Sequence, residues 1–176
     1  MPSFGPATAS ILILGLAPGL RGANATGRPF TGDFAGKVLY DALIKTGLAS
    51  GIYQATANDG LRLNNVRISN AVRCVPPQNK PNAAEIATCR PYLSTELAQM
   101  KELKIILALG RIAHETILRH FHLRLNDFPF RHNHVQKLPN GLSMLSSYHC
   151  SRYNVQTNRL TLAMFDEVLT HLRGLT

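Results

Sequence analysis

Two short segments that each close on glycine, Ile11-Leu-Ile-Leu-Gly15 and Lys104-Ile-Ile-Leu-Ala-Leu-Gly110, constrain the fold more than any other feature of the chain. Each is apolar on successive residues and so reads as a strand buried on both faces, the kind found in parallel sheets sandwiched between helices. Residues 66–72 alternate apolar and polar side chains and end at Arg73-Cys74, a second strand, and residues 142–148 supply a fourth. Helical spacing recurs between them: Val38, Leu39, Ala42 and Leu43 with Gly47 as a stop, residues 112–121, and Leu160, Ala163, Met164, Val168 and Leu169 on one face of residues 158–172. Asn82 followed by Glu85 predicts a capping box that opens another helix, which Pro91 kinks or divides; residues 76–81, rich in proline, form an extended loop before it.

Strands alternating with helices require right-handed crossovers. The expected architecture is α/β, a three-layer αβα sandwich around a four-stranded, mainly parallel sheet, within a single domain of 176 residues. Ligands of such sheets bind outside the carboxyl ends of the strands. The loops that matter are therefore residues 16–33, 70–81, 110–111 and 149–157.

Charge narrows the partner. Nineteen Lys and Arg against ten Asp and Glu give +9, which favours a polyanion such as nucleic acid. The longest apolar stretch, residues 11–16, is far short of the roughly 20 residues of a membrane span. With no basic leader at the N-terminus, the expectation is a cytoplasmic protein, nucleoid-associated if prokaryotic, whose Cys74, Cys89 and Cys150 are reduced thiols or metal ligands.

The loop after the first strand is glycine-rich, yet it carries neither the Walker pattern nor the dinucleotide Gly-x-Gly-x-x-Gly pattern. Its single carboxylate, Asp33, reads either as a catalytic acid group or as the N-cap of a helix beginning near Ala35. His149-Cys150-Ser151-Arg152-Tyr153-Asn154 follows the last strand and mixes a titratable ring, a hydroxyl, a guanidinium and an aromatic; a histidine there is either structural or catalytic.

Taken together, Gly15-Leu-Ala-Pro-Gly19, Gly27-Arg-Pro-Phe-Thr-Gly-Asp33 with Gly36, Asn70-Ala-Val-Arg-Cys-Val-Pro-Pro with Asn79-Lys-Pro81, Leu109-Gly110 and Tyr148-His-Cys-Ser-Arg-Tyr-Asn154 resemble the uracil-DNA glycosylase superfamily, in particular its type-b branch, family five. The resemblance implies a monofunctional repair glycosylase that acts as a monomer on single-stranded or duplex DNA, flips the damaged nucleotide and hydrolyses its N-glycosidic bond. It implies a base pocket of Gly15, Leu16, Ala17, Phe30 and Asn70, with Phe30 stacking on the base and Asn70 reading its pairing edge; otherwise Phe30 is a core aromatic and Asn70 a turn-capping amide. Asp33 and His149 are the implied catalytic pair. Ser151, Arg152, Tyr153 and Asn154 form the implied DNA wedge, or simply an exposed loop. No lysine in these motifs is placed for a lyase step.

Many relatives carry an Asp or Glu where this chain has Leu16 and Ala17. The type-b branch shares that absence, which shifts the chemistry to Asp33 and His149 and implies a pocket that also admits hypoxanthine or xanthine. Cys74 and Cys89 match two of the four thiolates that hold a 4Fe-4S cluster in the related enzymes, but the other pair, close together upstream of the first strand, has no counterpart here. The expectation is a missing N-terminal cluster-binding segment; the other account is a member that has lost the cluster, and a zinc site from these thiols and histidines is a third. The chemical step needs no cofactor. Two rival functions fit the same residues, a non-catalytic damaged-DNA binding module and a nucleoside hydrolase.

Overall fold

The computed structural model describes residues 1–77 and 81–176. Its strands in chain order are β1 (Ile11–Gly15), β2 (Ala49–Ser50), β3 (Arg62–Leu63), β4 (Val66–Asn70), β5 (Ile105–Leu109), β6 (His134–Lys137) and β7 (Ser143–Ser147). Five of them build one sheet in the order β4-β1-β5-β7-β6, while β2 and β3 make a separate two-stranded ribbon. The pairs β1–β4, β1–β5 and β5–β7 are parallel and β6–β7 is antiparallel. The expected sheet of four strands is thus corrected to five. The extra strand, His134-Val-Gln-Lys137, lies at the edge and is buried on neither face, so it lacks the apolar run that marks the others.

The helices are α1 (Ala23–Thr26), α2 (Phe34–Lys45), α3 (Ala83–Gln99), α4 (Arg111–His120), α5 (Arg152–Gln156) and α6 (Leu162–Gly174). They make the two outer layers because successive residues of a strand face opposite ways. Ile11, Ile13 and Leu107 pack against Leu39 and Leu43 of α2 and Val168 and Leu172 of α6. Leu12, Leu14 and Ile106 pack against Leu93 of α3 and Ile117 and Leu118 of α4. Every residue of β1 and β5 is buried, as their unbroken apolar sequence requires.

Local signals explain most helix ends. Gly47, at φ 73°, closes the turn after α2 with its N–H on the Ile44 carbonyl at 3.0 Å. Asn82 and Glu85 exchange side-chain to backbone hydrogen bonds of 2.9 and 2.8 Å, the expected capping box. Pro91 leaves α3 undivided: it stands on the exposed face, where the carbonyl of Ala87 that its missing N–H frees meets water. The helix expected over 158–172 is α6, which begins only at Leu162, and the loop expected over 149–157 contains the short helix α5. Thr161 sets that later start by capping α6, its Oγ1 accepting from the Met164 N–H at 3.1 Å. Within the loop expected over 76–81, residues 78–80 lie outside the described residues.

The open edge of β4 is covered by the N-terminal segment. Phe4 and Ile68 exchange backbone hydrogen bonds of 2.9 and 2.7 Å, and Glu96 of α3 fastens the arrangement from below. Its carboxylate, 4% exposed, accepts from Arg67 Nε and Arg73 Nη2, each at 2.7 Å. Arg67 also donates to the Gly5 carbonyl, and Arg73 to the Met1 carbonyl at 3.0 Å. Burial alone would raise the Glu96 pKa, but hydrogen bonds from Ser3, Ser69 and Arg67 and the charge of Arg73 outweigh it, and the pKa is lowered.

Replacing Glu96 by Gln leaves two guanidiniums facing a neutral amide and is expected to lower the unfolding free energy by about 3 kcal/mol, measured by denaturant unfolding at neutral pH. Because the native pKa is below the ordinary 4.5, the carboxylate's contribution is present above that value and vanishes as pH falls through the lowered one. The stability gap between wild type and Glu96→Gln should therefore close in acid.

Candidate active site

The carboxyl end of β1 carries Gly15, and the space above it decides how the site is assembled. A Cβ on Gly15 would fall 2.7 Å from Phe30 Cε2 and 2.5 Å from Asn70 Oδ1, so only glycine lets these two side chains meet over the strand end. Asn70 is the last residue of β4 and is 3% exposed; Phe30 comes from the loop after β1 and is 6% exposed. The β1–β4 ladder continues beyond both strands through Ala71 N to the Gly15 carbonyl at 3.0 Å and Val72 N to the Leu16 carbonyl at 2.9 Å, which fixes their relative register.

Phe30 has φ 57°, a left-handed conformation that costs a non-glycine residue roughly 1–2 kcal/mol. Several buried contacts hold it there. Arg28, two residues earlier, forms a bidentate ion pair with Asp59 at 2.7 and 2.8 Å, their side chains 4% and 0% exposed. Arg28 Nε donates to Thr31 Oγ1 at 2.8 Å, and the guanidinium lies against the rings of Phe4, Tyr40 and Tyr53. The Tyr40 hydroxyl donates to the Pro29 carbonyl at 2.6 Å, and the Tyr53 hydroxyl accepts from Gly32 N–H at 3.2 Å. A side chain at Gly36 would overlap the Phe30 carbonyl oxygen. The Arg28 hydrogen bond, helped by the N–H groups of Gln54 and Leu61 at 3.0 Å, holds the Asp59 carboxyl far below the usual carboxylate range despite its burial.

Asp33 is the N-cap of α2 and also lines a cleft. Oδ1 accepts from the Gly36 N–H at 2.8 Å and caps α2, while Oδ2 is directed towards the loop of Gly19 and Gly22. The same carboxylate lines an open cleft of about 650 Å³ together with Leu16, Ala17, His149, Ser151 and Arg152. His149 follows β7, and its ring stacks on Phe30 with centroids 5.9 Å apart and planes at 25°. Burial lowers its pKa below the ordinary 6.5, and the charge of Asp33 only partly offsets this. The structure thus brings together Gly15, Phe30 and Asn70 at one point and Leu16, Ala17, Asp33 and His149 along one cleft.

The last loop divides differently. Asn154 Nδ2 donates to the His149 carbonyl at 2.8 Å, and Ser151 Oγ accepts from Asn154 N–H as the cap of α5. These two side chains hold the histidine loop in shape. Arg152 and Tyr153 point outward, Tyr153 70% exposed and Arg152 5.5 Å from the centre of the Phe34 ring. Cys150 is buried beside the Ala35 carbonyl, and burial pushes its thiol up to about 12.

Cys74 and Cys89 line one hollow, the first exposed and the second buried, and Cys150 is not among its walls. Among the described residues no three His, Cys, Asp or Glu side chains gather as a metal site. Two thiolates do not supply the four ligands of a 4Fe-4S cluster, so these residues by themselves do not fit one. Sequence reasoning passed over Asp59 and Tyr53, which lie far from the recognised motifs; only the Asp59-Gly60 pair marked a turn there.

Fold and site define an α/β protein with an open cleft at the carboxyl edge of a mainly parallel sheet. The family model "Uracil DNA glycosylase superfamily" matches residues 2–173. The chain is 48% identical over 175 residues to the type-5 uracil-DNA glycosylase of Thermus thermophilus, covering 99% of this chain and 80% of that protein. It is 41% identical over 177 residues to the type-5 enzyme of Mycobacterium tuberculosis, covering 99% of this chain and 66% of that one. To the type-4 uracil-DNA glycosylase of Archaeoglobus fulgidus it is 35% identical over 124 residues, 70% of this chain and 54% of the other. The chain belongs to the uracil-DNA glycosylase superfamily, in its type-5 branch.

Removing one member of a buried ion pair strands the other. Asp59→Leu is expected to cost about 3–5 kcal/mol in denaturant unfolding, and adding Arg28→Met to it should regain much of that loss, because two apolar side chains no longer bury a charge.

Proposed function

We propose that this chain is a monofunctional DNA glycosylase that removes uracil, and deaminated purines such as hypoxanthine and xanthine, from single-stranded and duplex DNA, acting as a one-domain monomer. The observation that carries the reading is the convergence of Phe30, Asn70, Asp33 and His149 at the carboxyl ends of β1, β4 and β7. The family, the names of its type-5 members and the +9 charge support DNA as the substrate. Among the described residues no helix is long and apolar enough to cross a membrane.

A base must leave the stack to reach a pocket this deep at the sheet edge, at a cost of a few kcal/mol that is least where pairing is already poor. Phe30 then receives one face of the base. Asn70, whose amide both donates and accepts, reads its pairing edge. As the N-glycosidic bond breaks, its electron pair goes to the base nitrogen and positive charge develops on the sugar. His149, kept neutral by burial, donates an N–H to the base carbonyl oxygen where negative charge collects. Asp33 stabilises the cationic sugar and orients the water that adds to its C1′ carbon, the water's proton passing to Asp33 or to the departing base. The N-terminus of α2 beside Asp33 favours a negative charge at that place. No step needs a metal or cluster. Arg152 and Tyr153, exposed beyond the cleft, contact the DNA as a cation and a stacking ring.

Incubation with uracil-containing oligonucleotides followed by alkali reads excision as strand cleavage. Intact strands with retained binding would make the chain a damaged-DNA binding module, and release of base only from free deoxyuridine would make it a nucleoside hydrolase. Asp33→Asn is the discriminating variant, since asparagine caps a helix as well as aspartate does but carries no charge. It should keep the wild-type melting temperature and lose activity at least 100-fold. His149→Ala should lose about 100- to 1000-fold in kcat.

The pH profile gives the sign of the histidine. With a native pKa below 6.5, His149 stays neutral throughout the neutral range, so excision should be flat from pH 6.5 to about 8. A decline in that interval as pH rises would assign a protonated donor and sink the neutral-histidine mechanism.

A further inference from the structure

A second hollow adjoins the reactive cleft and shares two of its walls, Leu16 and His149. It lies between the loop after β5 and the segment leading into β6, and Asp33, which lines the cleft, is not among its walls. Its volume is about 240 Å³, and its walls are mainly carbon: Leu16, Leu109, Ile112, Phe130 and Tyr148. Ile112, 37% exposed at the first turn of α4, adds apolar surface to the mouth of the hollow. Two guanidiniums guard the rim. Arg111 sits 5.6 Å from the centre of the Phe130 ring and Arg159 sits 4.9 Å from that of Tyr148.

These rings do not move freely. His132 stacks on Tyr148 at 4.9 Å with planes 5° apart, and its Nδ1 accepts the Tyr148 N–H at 3.2 Å. His114 meets Phe130 edge-on at 5.5 Å; its two nitrogens are engaged by the Ser146 hydroxyl and the Phe128 carbonyl, both at 2.8 Å. The hollow is therefore built from fixed aromatic surfaces with cations preset above them. A flat heteroaromatic ring with an anion attached matches both halves of that chemistry: the ring against apolar walls or a guanidinium plane, the phosphate at the rim.

We infer that this hollow is a subsite for the unpaired base of the nucleotide next to the one being excised, with Arg111 and Arg159 holding its phosphate. The inference rests on the glycosylase reading above. Leu16 and His149, common to both hollows, place the two bases on either side of one partition, as consecutive nucleotides of a single strand would be. In a duplex the neighbouring base stays stacked and paired, and the subsite then offers only its rim. The result is a grip specific to single-stranded DNA.

Single-stranded oligonucleotides with one uracil, carrying either a normal nucleotide or a tetrahydrofuran abasic residue on its 5′ or its 3′ side, test this. For wild type, deleting the neighbouring base on one of the two sides should lower kcat/KM about tenfold, as the loss of one base–aromatic stack does. Ile112→Asp and Arg159→Ala, both at exposed positions and checked for an unchanged melting temperature, should lose a similar factor on the normal strand and become insensitive to the deletion. On a duplex with uracil opposite guanine, Ile112→Asp should lose less than twofold. Equal wild-type rates on intact and abasic-flanked strands would overturn the subsite, and so would variants whose loss persists unchanged when the neighbouring base is absent. Failure of wild type to excise uracil from any substrate defeats the glycosylase reading instead.

Discussion

A guanidinium and a carboxylate sealed from water persist only if each satisfies the other, and the geometry of the whole pocket depends on one such pair. Arg28 and Asp59 come from loops 31 residues apart, and their bidentate contact closes the long connection between β1 and β4 into a fixed frame. From that frame hang Pro29 and Phe30, tied through Tyr40 and Tyr53. The left-handed backbone at Phe30 would relax without it, and the ring would no longer lie over Gly15. A strained residue at a ligand site is maintained by surroundings that over-determine it, and here those surroundings are aromatic rings stacked around a cation.

Much of this was legible in the chain. The buried strands β1 and β5 announce themselves because nothing but a doubly covered sheet accommodates Ile-Leu-Ile-Leu or Ile-Ile-Leu-Ala-Leu, and the cap at Asn82 is a local signal read locally. The residues of the candidate site were legible as motifs, and the proximity of Phe30, Asn70, Asp33 and His149 follows from the rule that loops at one edge of a parallel sheet meet. Three features were not. β6 is a half-exposed edge strand whose partner, not its own pattern, makes it a strand. The start of α6 at Leu162 depends on Thr161 capping it, although Leu160 before the cap continues the apolar helical spacing. Asp59 is paired with a residue distant in sequence, and no local pattern reports a long-range ion pair.

The loop after β7 illustrates how a motif divides labour internally. In Ser151-Arg-Tyr-Asn154, the polar side chains nearest the backbone turn inward, one capping α5 and one holding the His149 carbonyl, while the longer Arg152 and Tyr153 reach solvent. Short polar groups make good local staples because they reach nearby backbone at little entropic cost. Long ones suit a partner that arrives from outside. Residues grouped by sequence as one DNA-contacting wedge are thereby separated into those that shape the loop and those that it presents.

Asp33 and His149 face one cleft yet experience opposite environments. The carboxylate is exposed at a helix N-terminus and occupied on one oxygen by a backbone N–H, conditions that suit an anion. The imidazole is half-buried against Phe30, and the desolvation this brings suits a neutral ring. Were both groups charged they would attract each other across the cleft and compete with a substrate for each other's contacts. Keeping the charge on one side only leaves an anion available to a developing cation and an uncharged donor available to a developing anion. On the proposed mechanism, that asymmetry lets a first loop reduced to Leu16 and Ala17 serve a reaction that separates charge, with the polar work concentrated in two side chains of opposite surroundings.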